Sequence, residues 1–280
     1  AGRCLRRKDP AEAWDDCAEW SRLENVAIEG GGTLDADGDF WYADSASDIR
    51  PMMLDLLWVD GLTVRDMRIR RPGFWTVHPT FSNNVRITGN DIVTHGKNTD
   101  GCDPDSAWNV YIANNTFSTG DDCIAIKSGK DWSGLMVNIS TENVLAESNV
   151  FRRGHGVSIG SETSGWVRGV TIRDSTLEGT NLAVRLKSMR GRGGGIEDVV
   201  YENLWGSAIS GIQMTLSYHE AQPTNATATP AIRRITVRNV HLKVHKVAYA
   251  CAGLADSVID GVLLDNVTVE GGGEQTCSYC

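Results

Sequence analysis

The sequence lacks any apolar run long enough to form a membrane-spanning helix. Its longest apolar stretches, such as Met52–Val59, are interrupted by aspartate and fall far short of the roughly 18 to 20 residues that cross a bilayer. Apolar residues are nevertheless plentiful, since 41 % of the 280 residues are apolar and 22 % are charged, which is ordinary for a globular protein. The composition therefore disfavours both membrane insertion and disorder.

The sequence also lacks the marks of metal and nucleic-acid binding. No CxxC pair stands beside a second group of ligands at a spacing that a zinc site needs. No nucleic-acid recognition motif is present, and an excess of basic residues is confined to one region. The chain starts at Ala1 without a charged and then apolar leader, so we expect any signal peptide to have been removed or to lie outside this sequence.

Seven cysteines are an odd number, so at least one has no partner within the chain. Cys4 with Cys17 and Cys277 with Cys280 would each close a short terminal loop, which fits an oxidising compartment and a secreted protein. The other three resemble small buried residues and are Cys102, Cys123 and Cys251. Four glycosylation sequons, which chance explains equally well, begin at Asn114, Asn138, Asn225 and Asn266.

One short phrase recurs along the sequence. It has two apolar residues at i and i+2, two polar residues, often an asparagine, and a final apolar residue, as in "VRITGNDI" and "VYIANNTF". Nine copies start 23 to 36 residues apart, at Val26, Leu62, Val85, Val110, Val144, Val170, Val199, Ile235 and Val262. Self-similarity at about 25 residues indicates a solenoid. Alternating apolar residues without a 3.6-residue period indicate that its units are short strands.

The repeat predicts an all-β fold, a right-handed parallel β-helix of about nine coils in a single domain. A unit that buries one strand face cannot stand alone, so the units must stack and share a core. We expect the coils over residues 26–269, an N-terminal cap over 1–25 and a C-terminal tail over 270–280. Within the cap, an N-capping Asp9 followed by Pro10 at the first helical position predicts a lid helix over Ala11–Leu23.

Equivalent positions of the coils carry residue types that suit turns and a polar site. Asn90, Asn115 and Asn149 are expected to stack, so that their amides satisfy backbone groups of the turns. Asp121 and His155 each lie 11 residues after the start of their coil and should therefore be neighbours.

Three aspartates are predicted to meet on adjacent coils, about 4.8 Å apart. Asp100 falls one coil before Asp121 and Asp122. Strand alternation does not decide which of the adjacent pair points outward, because both lie at a turn. Turn chemistry alone explains any single one of them, as hydrogen bonding within the coil stack explains His155. Several carboxylates close together repel one another, however, and glycosidases need one protonated and one ionised carboxyl group.

The cations of the next coil favour an anionic substrate. Arg185 and Lys187 are two residues apart on a strand and so point the same way, and His78 extends the row one coil earlier. Between Arg152 and Arg192 there are eight basic and three acidic residues in a chain of net charge -9. A polyanion would be attracted there; the alternative is a solvated strand face.

Four motifs carry a family resemblance. They are "NTDG" at 98–101, "GDD" at 120–122, "GHG" at 154–156 and "RLK" at 185–187. In this order and spacing they resemble the motifs of polygalacturonases, inverting glycoside hydrolases that cleave pectin and fold as right-handed parallel β-helices. The resemblance covers roughly 26–269, and four motifs in order are a much stronger signal than any one.

The resemblance implies a role for each matching residue. Asp121 would be the general acid, while Asp100 and Asp122 would hold and deprotonate the attacking water. His155 would help to set the protonation of the acid. Arg185 and Lys187 would bind the galacturonate carboxylate, with two further substrate contacts at His78 and Asn98. No cofactor and no metal are needed, since the carboxylates perform both proton transfers.

The resemblance also implies some limits. A cysteine that commonly pairs with the one after "GDD" is replaced by Phe151, so Cys123 is expected to be a free core thiol.

Similarity to bacterial and plant-like members slightly favours cleavage from chain ends, although an open groove would suit internal cleavage. We expect a secreted monomer that binds polygalacturonate. The alternatives are a calcium-dependent pectate lyase and a non-catalytic solenoid that binds acidic polysaccharide.

Overall fold

The computed structural model describes residues 23–43, 50–218 and 227–280. Two short helices lie within them, α1 (Phe40–Ala43) and α2 (Asp131–Val137). The strands are β1 (Leu23–Glu29), β2 (Thr33–Asp35), β3 (Leu54–Leu57), β4 (Val59–Arg65), β5 (Arg68–Arg70), β6 (Val77–Thr80), β7 (Asn83–Thr88), β8 (Asp91–Val93), β9 (Trp108–Ala113), β10 (Thr116–Ser118), β11 (Ile124–Ile126), β12 (Thr141–Glu147), β13 (Val150–Arg153), β14 (Val157–Ile159), β15 (Val167–Lys187), β16 (Gly195–Thr215), β17 (Ala231–Val244), β18 (Val247–Ala252), β19 (Asp260–Gly271) and β20 (Glu274–Ser278).

These strands form a parallel β-helix with three faces. The first face contains β1, β4, β7, β9 and β12, followed by the starts of β15, β16, β17 and β19. The second contains β2, β5, β8, β10 and β13 and continues into the later parts of those same long strands. The third runs through β3, β6, β11, β14, the ends of β15 and β16, β18 and β20. The all-β parallel fold predicted from the repeat is confirmed.

The predicted coil starts occupy one column of the first face. Each start pairs in register with the next, in the order Val26, Leu62, Val85, Val110, Val144, Val170, Val199, Ile235 and Val262. The residue before a start often has a left-handed backbone, as at Asn84, Asn109 and Asn143. Asparagine adopts this conformation more readily than most residues, which explains its place in the repeated phrase.

The predicted asparagine stack is present at the turn into the second face. The Nδ2 of Asn90 donates to Asn115 Oδ1 at 3.0 Å, and the Nδ2 of Asn115 donates to Asn149 Oδ1 at 3.1 Å. Each amide also donates to a backbone carbonyl, for example Asn115 to Ile87 at 2.9 Å. All three asparagines are buried, so the stack supplies hydrogen bonds where water cannot.

The interior is filled by the inward side chains of the three faces. Phe117 and Phe151 stack inside it with ring centroids 5.6 Å apart. Cys102 and Cys123 are buried free thiols as expected, whereas Cys251 is only partly buried. A disulfide joins Cys277 and Cys280.

Several sequence predictions concern the ends and the surface. The segment 270–280 includes strand β20, which pairs with β18 and continues the third face, so it is not a separate tail. Leu23 begins β1, and the rest of the predicted lid helix, the Cys4–Cys17 pair and Asn225 lie outside the described residues. The other sequon asparagines, Asn114, Asn138 and Asn266, are exposed. None of the helices in the described segments is long and apolar enough to cross a membrane.

Candidate active site

The predicted acids meet at the turn that leads into the third face. Cys102, Ile124 and Val157 pair in register on consecutive coils, and the residues two positions before them are Asp100, Asp122 and His155. The register therefore aligns His155 with Asp122, one residue away from the alignment that counting predicted. His155 still contacts both members of the pair, with its Nδ1 3.1 Å from Asp121 Oδ1 and 3.3 Å from Asp122 Oδ1.

The two adjacent aspartates point in different directions. The side chain of Asp122 is 1 % exposed, whereas that of Asp121 is 21 % exposed. Backbone N–H groups fix the outer carboxylate, because Asn98 donates to Asp121 Oδ2 at 3.1 Å and Asp122 donates to Asp121 Oδ1 at 3.0 Å. Asp121 is therefore the member that a bound ligand can reach, which the sequence left open.

The buried Asp122 is surrounded by donors and cations. Lys187 Nζ donates to Asp122 Oδ2 at 2.6 Å, Ser158 Oγ to Oδ1 at 2.6 Å, and Arg185 Nη1 to Oδ1 at 3.4 Å. Burial alone would raise the pKa of Asp122, but Lys187, His155 and Arg185 hold this pKa far below its ordinary value. These surroundings strongly favour the ionised form of Asp122 in the free protein.

His155 and Asp121 form a charged pair at neutral pH. Burial opposes the charge of His155, yet hydrogen bonds to Asp121 and Asp122 raise the pKa of this imidazole to about 9. Burial would likewise raise the pKa of Asp121, but the hydrogen bond from His155 lowers it below its ordinary value. The proton of the pair accordingly resides on His155.

Asp100 differs from both other acids. It is buried, and burial raises its pKa to about 7, with further increases from the charges of Asp122 and Asp121 and an opposing effect of Lys127. Of the three aspartates, it is the one whose pKa is raised. The site thus holds three carboxyl groups in three electrostatic environments.

Asn98 and His78, the two other predicted substrate contacts, form hydrogen bonds or ion pairs with other residues of the protein. The carboxamide oxygen of Asn98 accepts a hydrogen bond from Arg50 Nη2 at 3.0 Å, so Asn98 acts on Asp121 through its backbone. His78 lies 2.9 Å from Asp55 and 3.8 Å from Asp105, against the ring of Trp75. His78 thus pairs with acids of its own and is not brought onto Asp100, Asp121 or Asp122.

The basic stretch, which runs from Arg152 to Arg192, is largely neutralised by acids from neighbouring coils. Arg185 and Lys187 pair with Asp122. Five more of its basic residues form ion pairs, namely Arg152 with Glu178, Arg168 with Glu142 and Glu197, Arg173 with Glu147, Arg190 with Asp256 and Arg192 with Asp131. Most of this stretch therefore matches the alternative interpretation, a solvated strand face, and not a site that attracts a polyanion.

Two residues that lie beside the candidate site were not singled out from the sequence. The ring of Tyr218 lies 5.3 Å from the guanidinium of Arg185 and 5.1 Å from Lys187 Nζ, and no repeat or motif points to it. Lys127 is buried beside Asp100. Lys127 pairs in register with Asp105 of the preceding coil. A base and an acid at paired positions of adjacent coils are the sequence signal that could have pointed to Lys127.

Asp121, Asp122 and His155 also have the geometry of a metal-binding group, with one ligand atom of each within 4.8 Å of the others. Lys187 and Arg185 already compensate Asp122, and the raised pKa of His155 keeps a proton on the imidazole that a metal would have to displace. The surrounding charges therefore disfavour a cation at this position.

A sequence model of glycosyl hydrolases family 28 matches residues 7–280. The chain belongs to this family. A probable polygalacturonase of Vitis vinifera is 27 % identical over 261 residues, which cover 89 % of this chain and 53 % of that protein. An endo-polygalacturonase of Pectobacterium carotovorum is 34 % identical over 201 residues, covering 64 % and 47 % of the two chains. The chain thus spans about half the length of these relatives.

A solved structure of an exopolygalacturonase has the same architecture. It is the exopolygalacturonase from Thermotoga maritima, described as hyperthermoactive, with a TM-score of 0.84 and 26 % sequence identity over 90 % of this chain and 66 % of that one. Both exo- and endo-acting proteins are thus among the relatives of this chain.

Proposed function

We propose that this chain hydrolyses α-1,4 bonds between galacturonic acid residues of pectin by an inverting acid/base mechanism. The observation that carries the proposal is the position of His155, which hydrogen-bonds to the accessible Asp121 and lies 3.3 Å from the buried Asp122. One carboxyl group can therefore take a proton and reach a glycosidic oxygen, while the other stays ionised. Family membership over residues 7–280 supports the same reaction.

Each side chain has a role in this proposal. Asp121 donates a proton to the leaving oxygen, and Asp122 with Asp100 holds and deprotonates the attacking water. His155 supplies the proton to Asp121 across the 3.1 Å contact. Arg185 and Lys187, which Tyr218 flanks, bind the carboxylate of the sugar at the cleavage point.

The general acid has to gain its proton in the complex, since the pKa of Asp121 is lowered in the free protein. A bound galacturonan chain excludes water and adds carboxylates, and both changes raise the pKa of a nearby carboxyl group. Substrate carboxylate also draws Arg185 and Lys187 away from Asp122. The protonation of Asp121 is thus tied to substrate binding.

Further details of the function are also proposals. Removal of sugars from a chain end is favoured by the likeness to the Thermotoga maritima exopolygalacturonase. A secreted protein is favoured by the Cys277–Cys280 disulfide, because disulfides persist in oxidising compartments. We expect a monomer, since one coil stack supplies the whole constellation of residues.

The test is to incubate the protein with polygalacturonate and to separate the products. Monomer alone indicates exo action and a series of oligomers indicates endo action. The Asp121→Asn variant should lose about 10³-fold or more of kcat while its binding of polygalacturonate is retained. Undiminished activity would reject Asp121 as the acid, and binding without products would favour a non-catalytic solenoid. Unsaturated products that disappear with chelator would indicate a lyase instead.

A further inference from the structure

A buried ionic cluster lies behind Asp100. Lys127 Nζ is 3.4 Å from Asp103 Oδ1, 3.6 Å from Glu162 Oε2 and 3.8 Å from Asp100 Oδ2. The same ammonium lies 4.4 Å from the ring centroid of Trp75, an aromatic face that favours a cation. The side chains of Asp100, Asp103 and Lys127 are all at least 95 % buried, so these charges are shielded from water.

The cluster contains more acceptors than donors. Buried oxygen atoms without a hydrogen-bond donor are Asp100 Oδ1, both carboxyl oxygens of Asp103 and Glu162 Oε2. A buried acceptor without a donor costs on the order of 1 to 3 kcal/mol, and a single ammonium cannot compensate three carboxylates. One proton on a carboxyl group would convert an acceptor into a donor and would remove one negative charge.

We propose that Asp103 retains this proton and donates it in a hydrogen bond to Asp100, which makes Asp103 a positioning residue for the water-binding carboxylate. Asp103 is fully buried and has no contact with solvent, so it acts through Asp100 and not on substrate. The role of Asp100 in this inference rests on the proposed function, but the location of the proton does not.

The charges around the pair agree with a proton on Asp103. Burial raises the pKa of Asp103 well above its ordinary value, and Asp100 and Asp122 raise it further against the effect of Lys127. Burial opposes the charge of Lys127, but Glu162, Asp103 and Asp100 raise its pKa, so it stays cationic. The charged groups that face Asp100 are Lys127, Asp103, Asp121, Asp122 and Lys187.

The first test needs no substrate. Infrared spectra at about pH 8, roughly one unit above the pKa of Asp100, should show the carbonyl band of a protonated carboxylic acid. Asp103→Asn should remove this band, and the matched control Asp121→Asn should keep it, since Asp121 is ionised in the free protein. A wild-type protein without the band, or an Asp103→Asn variant that retains it, would overturn the proposal.

The second test uses the acidic limb of kcat/KM against pH, which reports groups of the free enzyme. Asparagine can still donate to Asp100, so Asp103→Asn should leave the limb in place. Asp103→Ala removes the donor, so it should move the limb to higher pH by about one unit, a tenfold lower kcat/KM on that limb. A shift to lower pH in both variants would show that Asp103 is ionised and would reject the proposal.

The two tests separate this inference from the proposed function. A protein that cleaves no galacturonan but has the carboxylic acid band would contradict the function and support the proton on Asp103. If Asp103→Ala does not fold, the isosteric Asp103→Asn variant still decides the proposal, because it should remove the band and leave the acidic limb in place, whereas a limb moved to lower pH would reject a proton on Asp103.

Discussion

At the scale of single residues, one imidazole gives two neighbouring aspartates different properties. His155 contacts both Asp121 and Asp122, but only Asp122 has Lys187 and Arg185 beside it. Two like carboxylates this close would repel each other without these cations. Their unequal burial and unequal charge environment distinguish the accessible Asp121 from the buried Asp122, whose pKa is held well below its ordinary value. Environments that differ in this way are how enzymes give two carboxyl groups different acid/base roles.

The protonation of His155 should be visible in the stability of the protein. Burial opposes the charge, but the aspartates raise the pKa of His155 to about 9, so its contribution is complete below the unfolded value of about 6.5 and is lost as pH rises through 9. We expect the free energy of unfolding in urea to fall by on the order of 2 to 3 kcal/mol between about pH 6.5 and pH 9.5. His155→Gln should show a smaller fall, and an equal fall in both proteins would exclude His155 as its cause.

Individual residues were predictable where their position on a coil decided their neighbours. Counting along the repeat brought Asp100, Asp121 and His155 together, because coil height is fixed by backbone hydrogen bonds. It could not orient Asp121 and Asp122, since side chains at a turn do not alternate. It also missed Lys127, because a lysine is seldom buried unless acids from other coils surround it.

At the scale of elements, the short strands depend on hydrogen bonds that run along the stack. The asparagine stack connects the turns of three successive coils, and Asn115 is its middle member. The repeated phrase predicted this stack because the asparagine recurs at one position. The sequence did not reveal that β15 and β16 continue across all three faces, since Gly179 and Gly206 interrupt the apolar pattern, whereas the strand pairing resumes after a register shift at Gly179.

Removal of Asn115 should destabilise the coil stack. In Asn115→Ala, the backbone N–H and the Nδ2 of Asn90 both lose their acceptor, and each buried unsatisfied donor costs on the order of 1 to 3 kcal/mol. We expect the free energy of unfolding to fall by about 2 to 4 kcal/mol in urea titrations. The control is the exposed neighbour Asn114, whose φ of 57° suits glycine. Asn114→Gly should change stability by less than about 0.5 kcal/mol, and equal effects of the two variants would contradict a structural role for the stack.

At the scale of the whole molecule, the charge balance opposes the attraction of a polyanion. The chain has a net charge of -9, and seven of the eight basic residues in the basic stretch are paired with acids. Attraction therefore operates at short range, where a substrate carboxylate can replace Asp122 beside Arg185 and Lys187. At long range, the protein and polygalacturonate repel each other.

Added salt should consequently speed up the reaction with long substrates. The screening length falls from about 30 Å at 0.01 M to about 10 Å at 0.1 M salt, which weakens the long-range repulsion and leaves the partly buried contacts of Arg185 and Lys187 less affected. We expect kcat/KM for long polygalacturonate to increase by about two- to tenfold over this range, with kcat nearly constant. A galacturonate trimer is the matched control and should respond less, because it has few charges. A steady decrease of kcat/KM with salt would show instead that the basic stretch attracts the polymer, as its sequence alone predicted.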